Sequence, residues 1–206
     1  MVGILEREDA GREIAFPEAG LDIVLIGETR DELGGSEWQQ WAIPDSLAAP
    51  PTVDLHREKA LVAFFMSAYE HRLLRSAHDL SNGGLAVAIA ECAMEGIGCH
   101  IELAGHADEV DAIALLFGES QARAIVSTSH TDEVLRLAKA HGLAAMRIGH
   151  TAIATFLIER NGVPLVRTST PELARIWRSS FALLLGGDSV DDVIGGVGEE
   201  AELIAP

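Results

Sequence analysis

Along the chain, short apolar runs and helical stripes alternate with polar turns. Asp22-Ile23-Val24-Leu25-Ile26-Gly27 is a continuous apolar run closed by glycine, which predicts a buried strand. Residues 28–36 turn polar at once, and Pro44, Pro50 and Pro51 bracket a loose stretch that reads as a linker, with a domain boundary near residue 50. Beyond it, Val62, Phe65, Tyr69 and Leu73 recur at helical spacing with Leu61, Phe64 and Ala68 beside them. This is a wide apolar face over about residues 53–75. A second helix is expected after Gly84, through Leu85, Val87, Ile89 and Met94 to Gly96, apolar nearly all round and so deeply buried. Cys99, Ile101 and Leu103 alternate with His100 and Glu102 as a strand does.

Further strands are expected at Arg123–Thr128, Ala144–Ile148 and Ile153–Ile158. Between them, Val134, Leu137 and Ala138 mark a short helix closed by Gly142. Asn161-Gly162 is a hairpin turn signal. Thr170-Pro171-Glu172 reads as cap, first-position proline and first-turn acid of a last helix. Its buried face is Leu173, Ile176, Trp177, Phe181 and Leu184, and Gly186-Gly187 stops it. Mixed helices and strands with a hairpin predict an α+β fold, a layered mixed or antiparallel sheet with helices packed on it. The acidic, weakly periodic stretch 188–206 is expected to be disordered.

Composition sharpens this picture. A length of 206 residues suits one domain, or one domain with a fragment of another. With 48% hydrophobic and 5% aromatic residues, the core has to be built from Ala, Leu, Ile and Val. A net charge of −17 without any Lys/Arg cluster excludes nucleic acid as a partner. No apolar run reaches membrane-spanning length and no signal pattern opens the chain, so a cytoplasmic protein is expected, with no membrane partner. Cys92 and Cys99 lack metal-type spacing, the eight histidines hold no His-x-x-x-His pair, and Cys92 falls inside a buried helix as a core residue.

Three segments carry candidate chemistry. In His78-Asp79-Leu80-Ser81-Asn82-Gly83-Gly84, the glycines permit a close backbone approach and the following helix offers amide hydrogens and a positive dipole end to a phosphate. Asp79 is an oxygen ligand suited to Mg²⁺ beside a nucleotide. The plain alternative is that Ser81 or Asn82 only caps the helix. Gly118-Glu119-Ser120-Gln121 supplies acid, hydroxyl and amide to a polar ligand, or is a common surface loop. Arg30, in the polar stretch leaving the first strand, can clamp a phosphate or simply pair with Asp31 or Glu32. No nucleophile–base–acid triad is arguable from spacing, so no catalytic residue is assigned.

Together, residues 27–38 (GETRDELGGSEW), 75–91 (RSAHDLSNGGLAVAIAE) and 116–123 (LFGESQAR) resemble, in order and separation, the second half of the synthetase component of phosphoribosylformylglycinamidine synthase. The resemblance runs from about residue 1 to 185. It implies membership of the aminoimidazole-ribonucleotide-synthetase-like superfamily, with ATP and Mg²⁺ as cofactors. It further implies that residues 1–50 end a β-barrel-forming domain and that 51–187 form a carboxy-terminal synthetase domain. The implied reaction is ATP-dependent carbon–nitrogen bond formation in purine biosynthesis, with glutamine as nitrogen donor. Its implied partners are the remainder of the synthetase and a glutaminase component. Candidate nucleotide or phosphate contacts are Asp79, Ser81, Asn82, Gly83, Gly84, Glu119, Ser120, Gln121 and Arg30, with Asp79 the magnesium ligand. Where the family has Ser-Asp-Gly-Gly, this chain has Ser81-Asn82-Gly83-Gly84. Family segments needed for catalysis have no counterpart here, so the expectation is a chain inactive by itself, or a non-catalytic nucleotide-binding or assembly module. An unfinished barrel edge at residues 21–27 would expose apolar surface and favour a homo-oligomer or a partner.

Overall fold

The computed structural model describes residues 11–184, with side chains through Ser180. Seven strands form one sheet: β1 (Asp22–Ile26), β2 (Ser76–Asp79), β3 (Ile97–Glu102), β4 (Ala124–Thr128), β5 (Ala145–Ile153), β6 (Thr155–Arg160) and β7 (Val163–Ser169). Their order is β2-β4-β1-β5-β3-β6-β7, and every neighbouring pair is antiparallel except β3 with β6. Six helices accompany them: α1 (Glu37–Ala42), α2 (Leu55–Glu70), α3 (Gly84–Ala93), α4 (Ala112–Phe117), α5 (Thr131–Ala140) and α6 (Thr170–Leu184). The expected α+β class, a mixed sheet with helices packed on it, is what forms.

The apolar run 22–26 has its explanation in where β1 lies. Ile23 and Leu25 face a core shared with α3, α4 and strands β3 and β6, while Val24 and Ile26 face a second core shared with α2 and α5. A strand buried on both faces has no polar side, so its sequence does not alternate. This corrects the expected domain division. β1 pairs with β4 and β5, so residues 22–26 are a central strand of the same sheet as everything after residue 76, and no boundary near residue 50 separates two cores. The apolar surface expected to be open at residues 21–27 is likewise buried.

Other departures have local reasons. Strand β2 is Ser-Ala-His-Asp, without apolar alternation, because it is an edge strand; its Ser76 hydroxyl meets the Ser127 hydroxyl at 2.7 Å. Helices α1 and α4 are six residues each, too short to show a period. Within α2 the buried positions are Leu61, Phe64 and Ala68, whereas Val62 faces outward. Helix α6 begins at the expected cap residue itself, one position earlier than the sequence suggests: Ser169 Oγ accepts the Glu172 amide at 3.4 Å, and the buried Thr170 hydroxyl lies 3.4 Å from the Gly96 carbonyl. Leu173 packs on the core, but Ile176 and Trp177 are exposed, and the expected Phe181 and Leu184 contacts, the Gly186-Gly187 stop and the 188–206 tail lie outside the described side chains or residues. The 161–162 turn forms as expected, with both residues at positive φ and Arg160 opposite Val163.

Removing the Phe64 ring, fully buried between α2 and the sheet, should cost about 3–5 kcal/mol in urea unfolding of Phe64→Ala. Val62→Ala, two residues away on the outer side, should change stability by about 0.5 kcal/mol or less.

Candidate functional site

The three singled-out segments converge at the start of α3. The link is Glu119, whose Oε1 accepts the Gly83 amide at 2.8 Å and the Glu37 amide at 2.9 Å. Asn82 Nδ2 donates to Glu37 Oε1 at 3.2 Å, which ties the same turn to α1 a second time. Ser120 is buried, and its Oγ accepts the Arg30 amide at 3.2 Å. The Glu119 amide in turn donates to the Glu32 carbonyl at 3.2 Å. Glycine at 84 is a packing requirement: φ is +66°, and a Cβ there would stand 2.5 Å from the Gly118 carbonyl oxygen. The Asp79–Gly84 turn and the Gly118–Gln121 loop are therefore in backbone contact.

This arrangement corrects two expectations. Neither Ser81 nor Asn82 caps α3; its capping residue is Gly83, without a side-chain cap bond. The Gly83 amide, offered by the sequence to a phosphate, is already held by the chain's own carboxylate. Gln121 turns back on its own loop, Nε2 donating to the Glu119 carbonyl at 3.0 Å. Asp79, at the end of β2, keeps an exposed carboxylate 3.3 Å from His78 Nδ1, and His78 Nε2 lies 2.8 Å from Glu91 Oε2.

Arg30 goes elsewhere. Its guanidinium pairs with Glu28 at 3.4 Å and Glu32 at 4.0 Å. It lines an open depression of about 420 Å³ between the end of β1 and the start of β5, walled also by His106, Glu109 and Met146. None of the Asp79–Gly84 or Glu119–Gln121 residues lines that depression.

Beneath the convergence lies Arg123, which sequence reasoning took only as the start of a strand. Its guanidinium is 1% exposed and donates to the carbonyls of Ser120 (2.8 Å) and Gly118 (2.5 Å) and to Thr29 Oγ1 (3.1 Å). Burial pushes it down to about 10, partly offset by the Glu32 and Glu119 charges, so it stays a cation at neutral pH. The available signal was a lone cation heading the uncharged, wholly buried run 124–128. Thr29 also meets His106 Nε2 at 3.0 Å; burial, then Arg123 and Arg160, lower the affinity of His106 for a proton. Burial drives the Glu32 carboxyl up, but the Thr52 amide, the Ser120 hydroxyl and Arg30 together outweigh it and hold the group below its ordinary value of 4.5. Its Oε2 is buried without a hydrogen-bond partner.

No nucleophile emerges from the cysteines, since burial pushes the Cys92 and Cys99 thiols up to about 12. Among the described residues no group of three or more His, Cys, Asp or Glu could hold a metal ion. Asp79 offers one exposed carboxylate, which fits Mg²⁺ only jointly with ligand phosphates, as that ion often binds. No helix of the described residues is long and apolar enough to cross a membrane.

Residues 18–153 match the family described as AIR synthase related protein, C-terminal domain, and the chain belongs to that family. Within it, the chain is 37% identical over 188 residues to the phosphoribosylformylglycinamidine synthase subunit PurL of Moorella thermoacetica, covering 90% of this chain and 25% of that subunit. It is 36% identical over 191 residues to the same subunit of Thermobifida fusca, covering 90% of this chain and 24% of the other. The chain thus spans about a quarter of the length of these relatives. In fold it resembles Thermotoga maritima PurL complexed with FGAR, with TM-score 0.72, 22% identity, and 82% of this chain and 30% of that one covered. A hydrogenase maturation protein, HypE, is more distant, at TM-score 0.51 and 17% identity over 74% of this chain and 54% of that one.

Glu119→Ala should release both amides, speeding hydrogen exchange at Gly83 and Glu37 and lowering stability by about 1–3 kcal/mol, with Glu119→Gln intermediate. Because the folded state holds the Glu32 carboxyl below 4.5, its contribution is fully present above that pH and lost as pH falls through the folded value. Glu32→Gln should therefore lower the urea midpoint at pH 7, and its difference from the wild type should shrink as pH falls below 4.5.

Proposed function

We propose that the chain serves as the carboxy-terminal synthetase segment of the ATP-dependent phosphoribosylformylglycinamidine synthase of purine biosynthesis. In this reading it acts with the remainder of the synthetase and a glutaminase component, and has no turnover by itself. The observation that carries it is the convergence through Glu119 of all three segments that resemble that enzyme. Asp79, Ser81 and Asn82 form the exposed lip of this convergence, with Gly83 and Gly84 forming its backbone floor. A nucleotide placed there would meet the positive end of α3, and Asp79 would hold Mg²⁺ together with the phosphates. The ion would supply charge neutralisation for phosphoryl transfer. The chain's own part is to present the Asp79 carboxylate and hold the turn rigid. Glu119 and Ser120 act by fixing the loops, Gln121 by closing its own, and Arg30 belongs to the separate depression.

A second reading is a nucleotide-binding or assembly module that takes no part in catalysis. It is favoured by Asn82, which stands where the family has a carboxylate and bonds to Glu37 instead.

Titration calorimetry of the full chain with magnesium ATP should detect binding that Asp79→Ala weakens about tenfold or more, a loss of about 1.4 kcal/mol. Arg30→Ala should change it less. Purified chain supplied with ATP, glutamine and formylglycinamide ribonucleotide should form no product. Product from the chain alone would refute the inactive-segment reading, and absence of ATP binding would remove the nucleotide site.

A further inference from the structure

Most of the large apolar side chains exposed among the described residues lie in residues 41–66. Seven of the twelve large exposed hydrophobic side chains among the described residues fall there, including Trp41, Leu47, Val53, Leu55, Val62 and Met66. Helix α2 is apolar on two sides. Leu61, Phe64 and Ala68 face the sheet, while Leu55, Val62 and Met66, spaced i, i+7, i+11, form one stripe facing out. The preceding residues 43–54 run without regular structure, with Leu47 fully exposed, and the Gln39 side chain and Glu32 anchor them at the Ser46 carbonyl (2.7 Å) and Thr52 amide (3.0 Å). Patches of this kind mark interaction sites on soluble proteins.

Charge does not oppose a contact here. The chain carries −17, yet within α2 Arg57 and Lys59 balance Glu58 and Glu70. A second copy of this chain would set the same residues 41–66 against themselves. Relatives offer a larger occupant, because this chain matches only 25% and 24% of their length.

We propose that the outer face of α2, with the Trp41–Val53 segment leading into it, is the surface on which the remaining portion of the synthetase seats. The occupant presents an apolar centre of low net charge to Val62 and Met66. The inference rests on reading the chain as a synthetase segment, and it adds which surface makes the joint.

The test co-expresses the full 206-residue chain with the Moorella thermoacetica subunit lacking the quarter that this chain matches. Sedimentation velocity reads the complex, and hydroxyl-radical labelling reads side-chain cover. The expected result is a one-to-one complex in which Met66 and Trp41 are protected from oxidation. Val62→Glu with Met66→Glu should weaken it about tenfold or more. The pair Ile153→Glu with Val163→Glu, exposed apolar positions at the other end of the sheet, should leave it unchanged, and urea unfolding should show both double variants folded. A complex indifferent to the α2 pair, or with Met66 still oxidised, overturns the surface and leaves the synthetase reading standing. Failure of the wild-type chain to form any complex overturns both. A homodimer broken by the α2 pair overturns the occupant and assigns the face to a second copy.

Discussion

A guanidinium placed in an apolar interior has to have its donors met and its charge balanced, and Arg123 meets that demand by organising everything around it. Its donors take the Gly118 and Ser120 carbonyls and the Thr29 hydroxyl, so two loops from distant parts of the chain are held to one rigid group. The Glu32 and Glu119 carboxylates supply the counter-charge. Glu119 then extends the arrangement to the first amide of α1, that of Glu37, and to the Gly83 turn before α3. Remove the cation and the carbonyls, the carboxylates and the turn all lose the reason for their positions. The site is in this sense one electrostatic unit.

Much of the fold was legible in the sequence because the elements that carry the core have strong periods. The run 22–26, the all-round apolar helix α3, the alternation at Cys99–Leu103 and the Asn161-Gly162 turn all form where the pattern put them. What escaped was either too short to show a period, as with α1 and α4, or held by backbone pairing at a sheet edge, as with β2. The misplaced domain division has a different cause. A proline-rich stretch between apolar segments looks the same whether it joins two domains or crosses the surface of one, and only the long-range pairing of β1 distinguishes the two.

At the site, the residue types were readable and their connections were not. Sequence marked Gly83, Gly84, Glu119 and Ser120 as a group with binding chemistry, and the structure brings them together. It could not indicate that the Glu119 carboxylate closes on the Gly83 amide, because that contact depends on tertiary geometry across 36 residues. Nor could it separate Arg30, whose neighbours in sequence belong to the convergence while its side chain faces a different depression.

The central place of β1 also bears on how the molecule comes to be folded. The strand is near the start of the chain, but its neighbours are Ala124–Thr128 and Ala145–Ile153. Val24 therefore has no partner until Val126 and Arg147 have been made, and both cores remain open at their centre until then. Pairing across such sequence distance carries a large loop-closure entropy before any contact repays it, which makes folding slow. During synthesis, an apolar strand waits exposed for most of the domain's length, and that interval is when a chaperone or an aggregate would meet it first.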